Sequence, residues 1–341
     1  MGEKETKVGI VSYGLYLPKD FETADEIAAK SGLSRDEIIN NIGLVKKYKP
    51  GQADQPVTMA RMAAEIAFEK AKGIVTPEDI DVVLWTGEEY KDYIAQTASI
   101  RIQEEVKAYN AWAFDIIGQG TTSLIGIRLA RDLMVGDSAV NTVLLAGGTR
   151  DYDLVNYKDP DTKWMLPTSA SGAAMILRRD YVNNTILGMA TIVDPEMADE
   201  VYVPVGGTVN PFSVDNVETK GMFFNVFNPS LMDKYLAERM PARMVEVIGK
   251  ALNDAGMSGK KPDYLAMRYL LPEQRKNVLE ALEIGESKSD ALSDSGHHGP
   301  NDVIISLDRA TQKGIIKKGS IVVLASAGIG FTYSAAVLQY G

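Results

Sequence analysis

Ala113-Phe114-Asp115-Ile116-Ile117-Gly118-Gln119-Gly120 is an apolar strand that runs into a turn bracketed by two glycines, and what surrounds it decides the fold. Residues 111–117 make the strand, 118–120 the turn, 121–134 a stretch of helical periodicity and 141–146 a second apolar run. A strand, tight turn, helix and strand at this spacing form a βαβ unit, which predicts parallel strands covered by helices. Towards the N-terminus the alternation continues. Residues 8–13 and 81–86 are strand-like, 22–31 are helical with Thr23 and Asp25 at the start, and 94–106 are helical again. Between them, residues 58–72 place Met59, Met62, Ala63, Ile66 and Ala67 at helical spacing.

The second half restates the plan. Residues 171–177 and 185–193 are strand-like, and a loop-rich stretch over 202–218 holds Gly206-Gly207 and Pro211. A long helix is predicted over 229–255, a strand over 264–269 and helices over 272–282 and 302–313. Two strands, 320–325 and 335–340, flank a glycine turn at Gly328 and Gly330. The strand at 81–86 has a counterpart at 264–269, and that at 141–146 has one at 320–325. Two similar halves, 1–180 and 181–341, are therefore expected.

Composition narrows the chemistry. The 341 residues are 45% hydrophobic and 24% charged, with 36 basic and 46 acidic side chains and a net charge of −10, the profile of a packed globular protein. The acidic balance argues against nucleic acid as a partner. No apolar run reaches the roughly 18–20 residues of a membrane span. The first residues lack the apolar core of a signal peptide, and although Gly2 and Thr6 fit a myristoylation pattern, a strand is expected from Lys7; the expected location is the cytoplasm. There is no cysteine, and the two histidines are the adjacent His297 and His298. Disulfides, thiolate metal sites and cysteine nucleophiles are excluded, and no metal is expected, because neighbouring imidazoles rarely aim at one ion.

Several motifs, in order along the chain, resemble the thiolase superfamily, in its branch of ketoacyl synthase III and hydroxymethylglutaryl-CoA synthase. Val8-Gly9-Ile10-Val11-Ser12-Tyr13-Gly14-Leu15-Tyr16-Leu17-Pro18 resembles the branch's first strand and turn, and the stretch from Ala113 to Gly120 the strand that ends at its nucleophile. Val205-Gly206-Gly207-Thr208-Val209-Asn210-Pro211 is similar to a glycine loop of many members. Gly296-His297-His298 ahead of Asp302-Val303-Ile304-Ile305-Ser306-Leu307-Asp308 resembles the loop and helix at the family's asparagine. The run from Gly319 through Gly328-Ile329-Gly330 to Ala336 follows its C-terminal glycine hairpin. The resemblance implies a five-layered αβαβα thiolase fold of two similar halves and a dimer formed through the sheet edges beside the nucleophile. The implied substrate is a thioester of CoA or acyl carrier protein, with no cofactor.

The family's chemistry uses a cysteine thiolate at a strand-to-helix turn, a histidine with an asparagine, and backbone amides that hold an oxyanion. At the matching positions this chain is changed. Counting from Asp115, the cysteine position falls on Gly120; counting back from the following helix, it falls on Gln119. Thr121 and Ser123 stand nearby without an activating histidine in the same motif. The histidine's equivalents lie among Arg268, Tyr269 and Leu270, and the asparagine position falls on His297, next to His298. Glu88 matches the catalytic glutamate of the hydroxymethylglutaryl-CoA synthases. Gln119 invites comparison with ketosynthase domains that carry glutamine for cysteine and act as decarboxylases.

The candidate catalytic residues are therefore His297, His298 and Glu88, with Gly120 or Gln119 at the lost cysteine position and Gly120 and Gly328 as oxyanion amides. Arg150, Lys158 and Lys163 sit in a charged stretch, 149–163, that also holds Asp151, Asp153, Asp159 and Asp161 and reads as a solvated loop. The aromatic cluster over 222–227 is expected in the core. The resemblance implies two functions. One is the cysteine-free subunit of a heteromeric acyltransferase or condensing enzyme, paired with a homologous cysteine-containing subunit and with a zinc-ribbon and OB-fold acyl-CoA-binding protein. The other is a stand-alone condensing enzyme, decarboxylase or hydrolase that works on acyl-CoA or acyl-carrier-protein thioesters through His297 and Glu88 without a covalent intermediate.

Overall fold

The structure, a computed structural model, describes residues 6–217 and 220–341. The acylation pattern at residues 1–6 rests largely on residues outside these, as does Glu218 at the end of the loop expected over 202–218. The N-terminal half contributes β1 (Val8–Tyr16), β4 (Val82–Trp85), β5 (Trp112–Asp115), β6 (Thr142–Thr149) and β7 (Ser171–Arg179). The C-terminal half contributes β8 (Thr185–Val193), β11 (Tyr264–Met267), β12 (Ile321–Gly328) and β13 (Thr332–Gln339). Their order is β11-β12-β13-β8-β1-β7-β6-β4-β5. From β1 outwards the pairings are antiparallel, antiparallel, parallel, parallel. From β8 outwards they are antiparallel, antiparallel, parallel. Four strands of each half thus repeat one order, β5 being an additional edge strand, and the halves meet at Gly9 opposite Thr185.

The layers follow from which helix buries which face. One core cluster packs α4 (Thr122–Gly136) and α9 (Asp302–Gln312) between the strands of both halves, through Leu124, Ile127, Val303 and Leu307. The outer face of the N-terminal strands is covered by α2 (Pro56–Lys70) and α3 (Ala98–Val106). The outer face of the C-terminal strands is covered by α7 (Met240–Asp254) and α8 (Pro272–Ala281). Helices, strands, central helices, strands and helices make the layered α/β thiolase fold.

The contact of α2 with its sheet is made backbone to backbone. A Cβ at Gly14, Gly148 or Gly172 would lie 2.0 Å from a carbonyl oxygen of α2, those of Ala63, Pro56 and Met59 respectively. Those glycines sit on β1, β6 and β7, so at three points the helix backbone comes directly against strand backbone, with the side chains of both packed around them.

Element boundaries differ from expectation where local chemistry overrides the pattern. The first helix, α1 (Ala24–Ser31), begins two residues late because Thr23 caps it, its hydroxyl accepting from the Glu26 amide while the Glu26 carboxylate accepts from Thr23 N. Asp20–Thr23 instead form β2, paired antiparallel with β3 (Lys46–Lys49) across the intervening α1, a two-stranded ribbon that the lysines of β3 concealed. The helix expected over 229–255 begins as α6 (Pro229–Lys234), passes through one wide π turn over Tyr235–Arg239 and continues as α7. Of the aromatic cluster, Val226 on the short strand β10 (Asn225–Val226) is buried, whereas Phe227 is 69% exposed. Phe227 lies just past the end of β10, and with Phe223 and Phe224 only half-buried no aromatic of the cluster is a core residue. Among the described residues no helix is long and apolar enough to cross a membrane.

Candidate functional site

The turn after β5 is built by its own hydroxyls. Thr121 Oγ1 donates to Gly118 O (2.6 Å), the Gly118 amide donates to Thr122 Oγ1 (2.9 Å), and that hydroxyl donates on to Gln119 O (2.6 Å). These bonds hold Gln119 at φ +51°, a conformation that costs a side-chain-bearing residue about 1–2 kcal/mol. The β12–β13 hairpin closes over the turn, with Ser326 Oγ donating to Gly120 O at 2.6 Å. A Cβ at position 120 would sit 2.4 Å from Ala327 O, so the hairpin backbone leaves room for nothing larger than glycine. Gln119, by contrast, lines a cavity of about 60 Å³ together with Glu88, Asp151, Arg268, His297 and Gly328. Of the two candidates for the lost cysteine position, Gln119 is the one whose side chain faces this space.

Arg268 stands just past the end of β11. Its guanidinium donates to Tyr269 O (3.2 Å), to Ala327 O (2.8 Å) and to His297 Nε2 (3.0 Å). A guanidinium cannot accept, so Nε2 is the acceptor and the His297 proton sits on Nδ1, which donates to Asp302 Oδ2 at 2.5 Å. Asp302, fully buried at the start of α9, also accepts from the amides of Tyr269 (2.8 Å) and His298 (2.7 Å). Burial opposes its charge, but the His297 ring and these donors outweigh it and hold the carboxyl below the usual carboxylate range. Burial, reinforced by Arg268, pushes His297 down against the pull of Asp302. His297 is a neutral ring with both nitrogens engaged.

His298 does not join the cavity. Its ring packs 6.0 Å from that of Tyr48, and neither nitrogen makes a well-formed hydrogen bond, a weak interaction with the Ala170 backbone aside. Burial pushes it down to about 4. An unfolded histidine titrates near 6.5. Between those values the unfolded chain binds a proton that the folded chain refuses, so stability falls as the pH drops through that window. His297 adds to the same limb. His298→Asn is expected to flatten this limb in denaturant midpoints measured from pH 7 to pH 4; an unchanged limb would assign the loss elsewhere.

Glu88 follows β4 and is only 3% exposed. Burial, then the neighbouring Asp151, push its carboxyl well above the usual range, and Arg268 offsets only part of this. Asp151 was read as part of a solvated charge run, but it folds back onto the cavity. Burial, then Asp153, push it up to about 7. The signal was its position: β4 and β6 are parallel with Trp85 opposite Ala146, so the residues just past their C-terminal ends stand side by side, where α/β sheets place ligand sites. Arg150 of the same stretch is a staple, donating to Asp153, Gly51 O and Asp54 O. Among the described residues no cluster of three His, Asp or Glu side chains is arranged to hold a metal ion.

The strand order and the layering of the helices define a thiolase fold. Residues 252–340 match the family model for the 3-oxoacyl-[acyl-carrier-protein] synthase III C terminal. The chain is 27% identical over 338 residues to the β-ketoacyl-[acyl-carrier-protein] synthase III of Caldanaerobacter subterraneus subsp. tengcongensis, covering 97% of each. In structure it is similar to 3-oxoacyl-(acyl carrier protein) synthase III of Pseudomonas aeruginosa, with a TM-score of 0.85, 18% identity and 98% of each chain covered. It is also similar to Xanthomonas campestris OleA solved with lauric acid and lauroyl-CoA, with a TM-score of 0.80, 16% identity and 98% and 99% covered. The chain is thus similar to ketoacyl-ACP synthase III proteins over nearly its whole length.

Proposed function

We propose that the chain is the cysteine-free, ketoacyl synthase III-like subunit of a heteromeric condensing or acyl-transfer enzyme that works on acyl thioesters of CoA or acyl carrier protein. The observation that carries this reading is the locked pair at the turn. A condensing site needs a nucleophile and a base free to take a proton. Here position 120 has no room for a side chain, and the one lone pair of His297 that could act as a base is occupied by Arg268. The nucleophile then comes from a homologous, cysteine-containing subunit. β5 is the last strand of its sheet and carries Trp112, 51% exposed, with Ile117 at 41% just beyond it. An unpaired edge with exposed apolar side chains favours pairing with another strand, which supports a dimer, of like or unlike chains, through this edge. An OB-fold and zinc-ribbon acyl-CoA-binding protein is the third component of this proposal.

Tagged chain purified from its native host is expected to bring down a cysteine-containing homologue in stoichiometric amount, and the chain alone is expected to show no turnover of acyl-CoA. Recovery of the tagged chain alone, together with turnover by it, would reject the subunit reading. One observation favours the second reading: the buried Glu88, its carboxyl pushed well above the usual range, and Asp151, pushed up to about 7, line one cavity, as a general acid–base pair would. A stand-alone decarboxylase or hydrolase built on them would lose its turnover in Glu88→Gln. Dependence on His297 would require Arg268 to release the ring first.

A further inference from the structure

We propose that the cavity beside the turn is a binding site for a short carboxylate of acetate to propionate size, held by the Glu88 carboxyl, the Trp164 indole N–H and the Arg268 guanidinium, with Asp151 taking up a proton as the anion binds. Three polar atoms that lack any protein partner are buried in residues of this one wall: Glu88 Oε2, Asp151 Oδ1 and Trp164 Nε1. Each such atom costs roughly 1–3 kcal/mol if left unpaired, and three around one space amount to a built demand for a polar ligand. The Glu88 carboxyl lies against the bare backbone of Gly299, where a Cβ would come within 2.4 Å of Oε1.

The polarity of that demand is specific. A guanidinium has five N–H donors, and Arg268 spends three of them on Tyr269 O, Ala327 O and His297 Nε2. Two remain on a side chain that lines the cavity. The indole is a donor only, and a protonated carboxyl donates as well. The titratable and charged groups facing the pair are Asp153, Tyr90, Glu89, Arg268 and Asp302, and Asp302 is already spent on His297 and two amides. Burial and the neighbouring Asp151 push Glu88 well above the usual carboxylate range, and burial and Asp153 push Asp151 up to about 7. The wall therefore offers two guanidinium N–H groups, the indole N–H and the Glu88 O–H, with the Arg268 charge balanced by Asp302 behind it; once Asp151 takes up a proton no uncompensated negative charge is left on the wall, which fits a planar ligand with two acceptor oxygens. A cationic ligand would meet Arg268, and an apolar one would leave all three atoms unpaired. The volume sets the size. At the ~10–15 Å³ that one water requires, about 60 Å³ holds on the order of four or five heavy atoms, with Met165, Leu236 and Phe331 walls for a methyl or ethyl group.

The inference is independent of the subunit reading, since it concerns the isolated chain and binding alone. Titration calorimetry of the purified chain with sodium acetate is expected to show binding at least about tenfold tighter than that of acetamide, the neutral analogue. Its affinity should fall as the pH rises above 7, approaching tenfold per pH unit as the linked proton becomes harder to supply. Buffers of different ionisation enthalpy should report uptake of up to one proton. Asp151→Asn should keep binding and lose the pH dependence, and Trp164→Phe should weaken acetate about five- to tenfold. Failure of acetate to bind, equal affinity for acetamide, or full affinity in folded Trp164→Phe and Glu88→Gln chains would overturn the proposal. None of these results would alter co-purification with a cysteine-containing partner.

Discussion

Gly120→Cys is expected to destabilise the protein and to give no acyl-enzyme. In an intact condensing enzyme this substitution would be a restoration; here the new Cβ would stand 2.4 Å from Ala327 O and 3.4 Å from Ala327 C. The neighbour is backbone, and it is held from two sides, by the Arg268 guanidinium on Ala327 O and by Ser326 Oγ on Gly120 O. Relief requires the whole β12–β13 hairpin to move. Overpacking of this kind costs typically about 1–3 kcal/mol, which should lower the thermal midpoint by several degrees. Mass spectrometry after incubation with acetyl-CoA should find the chain unmodified. An acetyl adduct on a chain of unchanged stability would show that the hairpin yields and that the site is merely missing its thiol.

Arg268→Ala should be more damaging still. It removes the donor from three buried acceptors, Ala327 O, Tyr269 O and His297 Nε2, and takes the one cation away from Asp302 and Glu88. Removing one member of a buried charged network typically costs about 3–5 kcal/mol. Burial holds His297 down with Arg268 adding to it, so the imidazole should titrate at higher pH once the guanidinium is gone, visible in its proton NMR shifts. Arg268→Lys serves as the control that stays folded: a single ammonium cannot reach three acceptors that diverge around a planar fork, so it should recover only part of the loss. A stability change under about 1 kcal/mol in Arg268→Ala would mean that water replaces the guanidinium and that His297 is free to act as a base.

Much of the architecture was legible because it is carried by local pattern: the strand, turn and helix from residue 111 to 134, the glycine hairpin near the C-terminus, and the counterparts of the strands at 81–86 and 141–146 in the other half. The candidate site was legible in part. Glu88, Gln119, Gly120, His297 and Gly328 do line one cavity, but which of residues 119 and 120 faces it depends on a hairpin two hundred residues away. His297 stood out as a residue, whereas the guanidinium that occupies it comes from the end of a different strand. Asp151 and Trp164 were concealed by the acidic residues around them, since a charge run reads as solvated until its chain is seen to fold over the ends of β4 and β6. Lys47 shows the same limit. A strand of Lys46-Lys47-Tyr48-Lys49 has no apolar alternation, yet Lys47 is fully buried between the rings of Tyr152 and Tyr157, 4.6 and 4.7 Å from its ammonium, with Glu22 at 3.8 Å. Only tertiary packing supplies that environment.

The glycine groove beneath α2 has a mechanical meaning. Gly14, Gly148 and Gly172 let the helix rest at three points on the bare backbone of β1, β6 and β7, and at those points there are no rotamers through which the contact can relax. The helix therefore acts as a datum plane, fixing the height of three strands at once. One of them, β6, ends at Thr149, two residues before Asp151, so the placement of that carboxyl is referenced to a surface that cannot creep. Variation that retunes the cavity can then accumulate in the loops beyond the strand ends, while the bed beneath them keeps its level.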